Sequence, residues 1–286
     1  MNKTVLITGT STGFGRHLVP RFLNAGCTVL ATMRHAESRR ELFKDEAANA
    51  ADRLFIINLD VTDEADRDAV ARFIEDRFDG RLDCLVNNAG FGVIGALEDL
   101  SETEIREQME VNFFGLALLT RQLLPHLRRA GGRIINVSSL LGYMGMPMSS
   151  LYAASKFAVE GLSESLYYEL RPHGVQVAIV EPGGFRTGFH RNIVYGEKSL
   201  DPSSAYASQS AAFRRYRKAR DTGPGNPVDP VVDAVMKLAS AKKMPLRVRC
   251  GKDAKASYAV SRMLPEGLHL AVLRKVFNKL FSSKPA

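Results

Sequence analysis

The chain has 286 residues, 45% of them hydrophobic, and a formal net charge of +8, enough length for one large α/β domain with a filled core. Its three cysteines, Cys27, Cys84 and Cys250, form no CxxC and no metal-ligand spacing, so a zinc site or disulfide framework is not expected and a reduced, cytoplasmic setting is. No apolar run nears the ~18 residues of a membrane span, and the first, Val5-Leu6-Ile7, is too short for a signal peptide.

In chain order the pattern alternates. A strand is predicted at 4–8 and a helix at 13–25. Strand 28–33 and helix 36–50 follow, then strand 54–58, helix 63–78 and strand 82–87. A long helix at 101–129 opens on a capping box, Ser101 with Glu104. Strand 133–138, helix 150–171 and strand 175–181 complete the regular part. The strands are continuous apolar runs, as expected when both faces of a sheet are covered. Strict β-α alternation implies a parallel, doubly wound sheet of the Rossmann type. Periodic apolar positions thin out over 187–227, which ends in Thr222-Gly223-Pro224-Gly225-Asn226-Pro227 and reads as an excursion from the sheet. Asp229-Pro230 marks a further helix start, and 246–249 is a weak strand. One domain is expected, with a body at 1–186, a helical excursion at 187–227 placed as a lid over the carboxyl ends of the strands, and C-terminal helices with a basic extension at 228–286.

The charge is uneven. Residues 190–286 hold 19 Lys and Arg against 7 Asp and Glu, while residues 1–189 are slightly acidic. Such a block can serve nucleic acid, an anionic membrane or an anionic ligand, but is more often solvated surface. No DNA- or RNA-binding motif accompanies it, so no nucleic acid partner is expected. Within 264–281, Leu264, Leu268, Leu270, Leu273, Val276, Phe277, Leu280 and Phe281 lie on or near one helical face, with Arg274, Lys275, Lys279 and Lys284 largely elsewhere. A basic amphipathic helix of this kind lies on a membrane surface or packs on its own body; packing is the favoured reading.

Three features carry chemistry. Thr8-Gly9-Thr10-Ser11-Thr12-Gly13-Phe14-Gly15 joins the first strand to the first helix. Glycines there permit a tight turn and close approach to a pyrophosphate at the helix N-terminus. The second strand ends in Thr32-Met33-Arg34, where many NAD-binding folds place an acid on the ribose 2′-hydroxyl. An arginine there can pair with a 2′-phosphate, which argues for NADP(H). In Tyr152-Ala153-Ala154-Ser155-Lys156, a spacing of four puts Tyr152 and Lys156 one turn apart on one helical face. A nearby ammonium favours the phenolate, so Lys156 is expected to lower the Tyr152 pKa.

Together these residues resemble the short-chain dehydrogenase/reductase family, in its compact branch with a TGxxxGxG turn. Asp60-Val61 follows strand three and Asn87-Asn88-Ala89-Gly90 strand four. Asn112 sits mid-helix, Asn136-Val137-Ser138-Ser139 ends strand five, and Pro182-Gly183 with Thr187 follows strand six. The resemblance covers roughly residues 3–190 and implies an oxidoreductase that interconverts an alcohol and a ketone or aldehyde. It implies a catalytic tetrad of Asn112, Ser139, Tyr152 and Lys156. Tyr152 would move the proton, Ser139 would hold the carbonyl oxygen, and Lys156 would also hold the nicotinamide ribose. Asn112 would keep a helix irregular and anchor a water. The implied cofactor contacts are Gly9, Ser11, Gly13, Phe14, Gly15, Arg34, Asp60, Val61, Asn87, Ala89, Gly90, Tyr152, Lys156, Pro182, Gly183 and Thr187. No metal is expected. Helices 101–129 and 150–171 would form the interface of a homodimer or homotetramer.

The substrate is less legible. Leu140 to Met148, with Phe91, Val93 and Phe185, form either an apolar wall near the nicotinamide or ordinary packing. The excursion 187–227 leaves the sheet at the carboxyl end of a strand, where ligands of open α/β sheets bind. Its aromatics would close over a bulky, largely apolar ketone, aldehyde or alcohol. Two other readings remain: an NADP(H)-sensing protein without turnover, against which a complete Asn/Ser/Tyr/Lys set argues, and a peripheral membrane protein working through its basic tail.

Overall fold

The computed structural model describes residues 3–185, 187, 189–222 and 226–282. Gly223, Pro224 and Gly225 of the expected lid, and Lys284 of the tail, lie outside the described residues.

Seven strands form one parallel sheet: β1 (Thr4–Thr8), β2 (Thr28–Met33), β3 (Leu54–Asn58), β4 (Cys84–Asn87), β6 (Arg133–Val137), β7 (Gln176–Pro182) and β9 (Arg247–Cys250), in the order β3-β2-β1-β4-β6-β7-β9. Two three-residue strands, β5 (Gly92–Ile94) and β8 (Ile193–Tyr195), pair in parallel outside it. The period of two sends neighbours to opposite faces, and both faces are covered. Val5 and Ile7 join Phe22, Val231 and Val235 on the side of α1 (Gly13–Asn24) and α8 (Asp229–Ser240). Leu6 joins Ile74, Leu119, Leu123 and Leu166 on the other, from α3 (Glu64–Phe78), α5 (Leu116–Ala130) and α6 (Ser150–Glu169). That explains why these strands read as unbroken apolar runs.

Two predicted helices are interrupted. The stretch 36–50 is a tight 3₁₀ segment, Glu37–Phe43, running into a short α2 (Lys44–Asn49). The long helix is α4 (Glu102–Met109) and α5, joined through a π-helical turn at Glu110–Gly115, and its capping box at Ser101 and Glu104 is formed. The excursion beyond 187 contains β8 and α7 (Ala207–Thr222). β5 and β8 escaped the sequence reading because each is three residues long and pairs about a hundred positions away.

The basic C-terminal part is tied to the body rather than free. β9 extends the sheet beside β7, and Arg133 donates to the carbonyls of Leu238 and Ala241 at 2.8 and 2.7 Å. Four of its arginine contacts close a buried charge cluster. Arg247 reaches Glu160, Glu164 and Glu181 at 2.9, 2.7 and 3.4 Å, and Arg249 reaches Glu181 at 2.8 Å. α9 (Lys252–Met263) and α10 (Glu266–Ser282) follow. α10 both packs and protrudes: Leu280 and Phe281 lie against the Ile94, Met148 and Phe213 cluster, while Leu268, Leu270, Val272 and Val276 are exposed. No helix among the described residues is long and apolar enough to cross a membrane.

Candidate active site

The strand order reverses between β1 and β4, and the site forms at their carboxyl ends. Gly9 leaves β1 with φ +69°, and a Cβ there would lie 2.8 Å from Ala89 Cα, so only glycine fits. Gly15 packs against the Gly9 carbonyl just as closely. Thr8 Oγ1 accepts from the Asn88 and Ala89 amides, both at 2.9 Å, and Asn88 Nδ2 donates to the carbonyls of Thr8 and Gly9 at 2.8 and 3.1 Å. Asn88 therefore staples the turn to β4. The sequence reading gave roles to its neighbours but not to Asn88; its adjacency to Ala89 was the available signal.

Whether the turn suits a diphosphate can be judged from how its helix starts. α3 is capped by the Asp63 carboxylate and α4 by Ser101, but Thr12 gives α1 no side-chain cap, and no acid stands in its first turn. The N–H groups around Ser11, Gly13, Phe14 and Gly15 thus face the crevice without an internal side-chain acceptor, as an anion site requires. Phe14 packs edge-on against Phe185, centroids 5.9 Å apart, and a Cβ on Gly13 would meet the Thr187 carbonyl at 3.4 Å. Arg34 is exposed at the end of β2, its guanidinium 3.9 Å from Asp60 at the end of β3. The Asp60 carboxylate also accepts from the Thr62 amide and hydroxyl. Two expected contacts point elsewhere. Val61 is buried against Gly115, and its carbonyl accepts from Arg67. The Asn87 amide lies in the interior, donating to Thr120 and to Asn136, which in turn donates to Ser163.

The tetrad residues come together at the carboxyl ends of β4 and β6. The first turns of α6 carry Tyr152 and Lys156. The Tyr152 phenol is half-buried, with the Ser139 hydroxyl acting to lower its pKa; its ring lies 5.8 Å from that of Phe189. The Lys156 ammonium sits 5.7 Å from the Tyr152 ring centre and donates to the Val137 carbonyl at 2.9 Å. Asn112 is in the π-helical turn, and its amide brackets Phe91: Oδ1 accepts from Phe91 N and Nδ2 donates to Phe91 O, both at 3.0 Å. Nδ2 also reaches Ser155 Oγ at 3.1 Å. Asn112 thus fixes the loop after Gly90 and joins it to α6.

Burial pushes the Tyr152 phenol up to about 12, with the Ser139 hydroxyl and the positive charge of Arg217 pulling the other way. Burial likewise pulls Lys156 down to about 8, against the neighbouring Glu160 carboxylate. Arg217 is half-buried on α7. The turn after β7 is held from the C-terminal part: Gly183 N donates to Cys250 O at 2.9 Å and Gly184 N to the Asp253 carboxylate at 2.6 Å. Pro182, Gly183 and Thr187 so border the crevice opposite Gly13.

Residues 3–198 match the short chain dehydrogenase family model. The chain belongs to that family. It is 35% identical to the 3-ketodihydrosphingosine reductase of Bacteroides thetaiotaomicron, over 94% of this chain and 96% of that one. A short-chain dehydrogenase structure from Streptomyces avermitilis superposes with a TM-score of 0.78 at 36% identity, covering 97% of this chain and 96% of that chain. One from Burkholderia cenocepacia, in complex with NADP, gives 0.73 at 26% identity over 95% and 98% of the two chains. The matched relatives are oxidoreductases, and the superposed structures include one in complex with NADP.

Proposed function

We propose that the protein is an NADP(H)-dependent oxidoreductase that interconverts a bulky, largely apolar alcohol with its ketone or aldehyde. The observation that carries this is the Ser139–Tyr152 hydroxyl pair over the buried Lys156 ammonium, beside the glycine-rich turn. NADP(H) would lie along Gly9, Gly13 and Gly15 with Arg34 at the 2′-phosphate, and supplies the hydride when bound. Tyr152, protonated across the neutral range, donates its proton to the carbonyl oxygen during reduction. Ser139 holds that oxygen where negative charge develops. Lys156 would hold the nicotinamide ribose, and Phe189 and Gly92 pack against the Tyr152 ring and narrow the access of water. Phe213 of α7, buried against Ile94 and Met148, supports the lid reading of this segment. Exposed Phe114 and Phe157 on the long helices support assembly with further copies through those faces.

The test is Tyr152→Phe. Folding and NADPH binding should persist, while carbonyl-dependent NADPH oxidation falls by roughly 10²–10⁴-fold, the range of a lost general acid. Near-normal turnover in the purified variant would refute the mechanism.

A further inference from the structure

Outside the tetrad lies a groove of about 560 Å³, walled on one side by α10 and on the other by residues 145–148 and α7. Its lining includes Met146, Met148, Leu273, Phe277 and Phe281, with Arg274 among its few polar members. The volume is that of an ordinary small-molecule site. The α10 wall runs from Leu270 to Phe281, about 16 Å of helix. A groove of that length, bounded by a helix face, suits an extended molecule better than a compact ring. Two methionines in its wall adapt to a flexible apolar partner.

The groove and the catalytic centre lie on either side of one shared wall. Residues 145–148 lead directly into α6, whose first turn carries Tyr152. Met148 is held at φ +62°, and its carbonyl accepts from Gly95 N at 3.0 Å. Gly95 follows β5, and a Cβ on Gly92 of that strand would touch the Tyr152 ring at 3.5 Å. Met148 therefore has the Tyr152 side of the fold in front of it and the groove behind it.

We infer that this groove binds the apolar tail of the substrate, and that the tail is a linear alkyl or acyl chain lying along α10 with its carbonyl or carbinol carbon at Tyr152. The inference rests on the oxidoreductase reading above and adds the substrate class. It also gives the C-terminal extension a role: α10 is a wall of the binding site. The packed residues Leu273 and Phe277 face the tail, whereas Leu268, Val272 and Val276 lie on the outer side of the helix.

The protein contains no tryptophan, so Phe277→Trp places one reporter in the groove. Titrated with the twelve-carbon alcohol 1-dodecanol in the presence of NADP⁺, its emission should shift to the blue and saturate. Butan-1-ol should leave it unchanged. No shift with dodecanol, or the same shift with both, overturns the inference. Kinetics supply the second arm. For wild type, kcat/KM should rise at least tenfold from four-carbon to twelve-carbon aldehydes with NADPH. Leu273→Trp, which fills the groove, should abolish that rise. A rise that survives Leu273→Trp counts against the groove. Absence of turnover with every carbonyl would instead refute the oxidoreductase reading, and the emission titration of Phe277→Trp would still decide whether the groove takes the tail. A tail-independent emission shift with protein concentration would identify a second copy as the occupant and overturn the inference.

Discussion

Asn112 can be read as a water-holding group or as a structural bracket, and the two differ in what Asn112→Ala costs. The side chain is 1% exposed and makes three hydrogen bonds. Their loss is unequal. The Phe91 carbonyl keeps a second donor, Gln108 Nε2 at 3.0 Å, and Ser155 keeps its bond to the Tyr152 carbonyl at 2.7 Å. The Phe91 amide loses the Asn112 acceptor and is left unpaired in a dry place. One orphaned amide and a small cavity together cost about 2–4 kcal/mol. For a domain of this size each kcal/mol moves the midpoint by about 2–4 °C, so a fall of roughly 5–15 °C is expected in thermal unfolding followed by circular dichroism. Turnover should fall as well, since Phe91 follows the Gly90 backbone that faces the tetrad. A midpoint within about 1 °C of wild type, with activity lost, would refute the bracket and leave Asn112 a purely chemical role.

Arg34→Ala should weaken NADPH binding by about 1.5–3 kcal/mol, the worth of a charged hydrogen bond, and leave NADH binding nearly unchanged by calorimetry; equal losses would show that Arg34 does not read the 2′-phosphate. Because burial raises the Tyr152 pKa to about 12, the free protein should show no phenolate absorbance step between pH 6 and 9 in the difference titration of wild type against Tyr152→Phe, and Arg217→Gln should move ionisation higher still; a step near pH 7 would contradict this. Arg247→Leu leaves the buried Glu160 and Glu181 with fewer cations, at a cost of about 3 kcal/mol near pH 8. Glu181 has a pKa raised by burial to about 7, so it is neutral below that pH, and the penalty should shrink between pH 8 and pH 5 in urea unfolding; a penalty that grows toward acid would refute the assignment.

The linear order of the fold was legible because its causes are local. Continuous apolar runs, a glycine-rich turn directly after the first strand and a four-residue Tyr–Lys spacing each follow from short-range geometry, and they located the parallel sheet, the crevice and the family. The capping box at Ser101 was equally local and is present. What the sequence could not carry were facts made by contact across the chain. The π-helical turn at Asn112 exists alongside an amide that grips Phe91, twenty-one residues away. β5 and β8 pair across about a hundred residues, a contact no local pattern encodes. Residue type and spacing placed Lys156 beside Tyr152, but the sign of the Tyr152 shift depends on how much water the packed crevice excludes, and desolvation is a property of the whole fold. The amphipathic stripe of the tail likewise named the apolar residues of α10; only tertiary packing decided that Leu273 and Phe277 line a groove against Met146 and Met148 while Val272 and Val276 stay outside, because a helix face is assigned by what it meets.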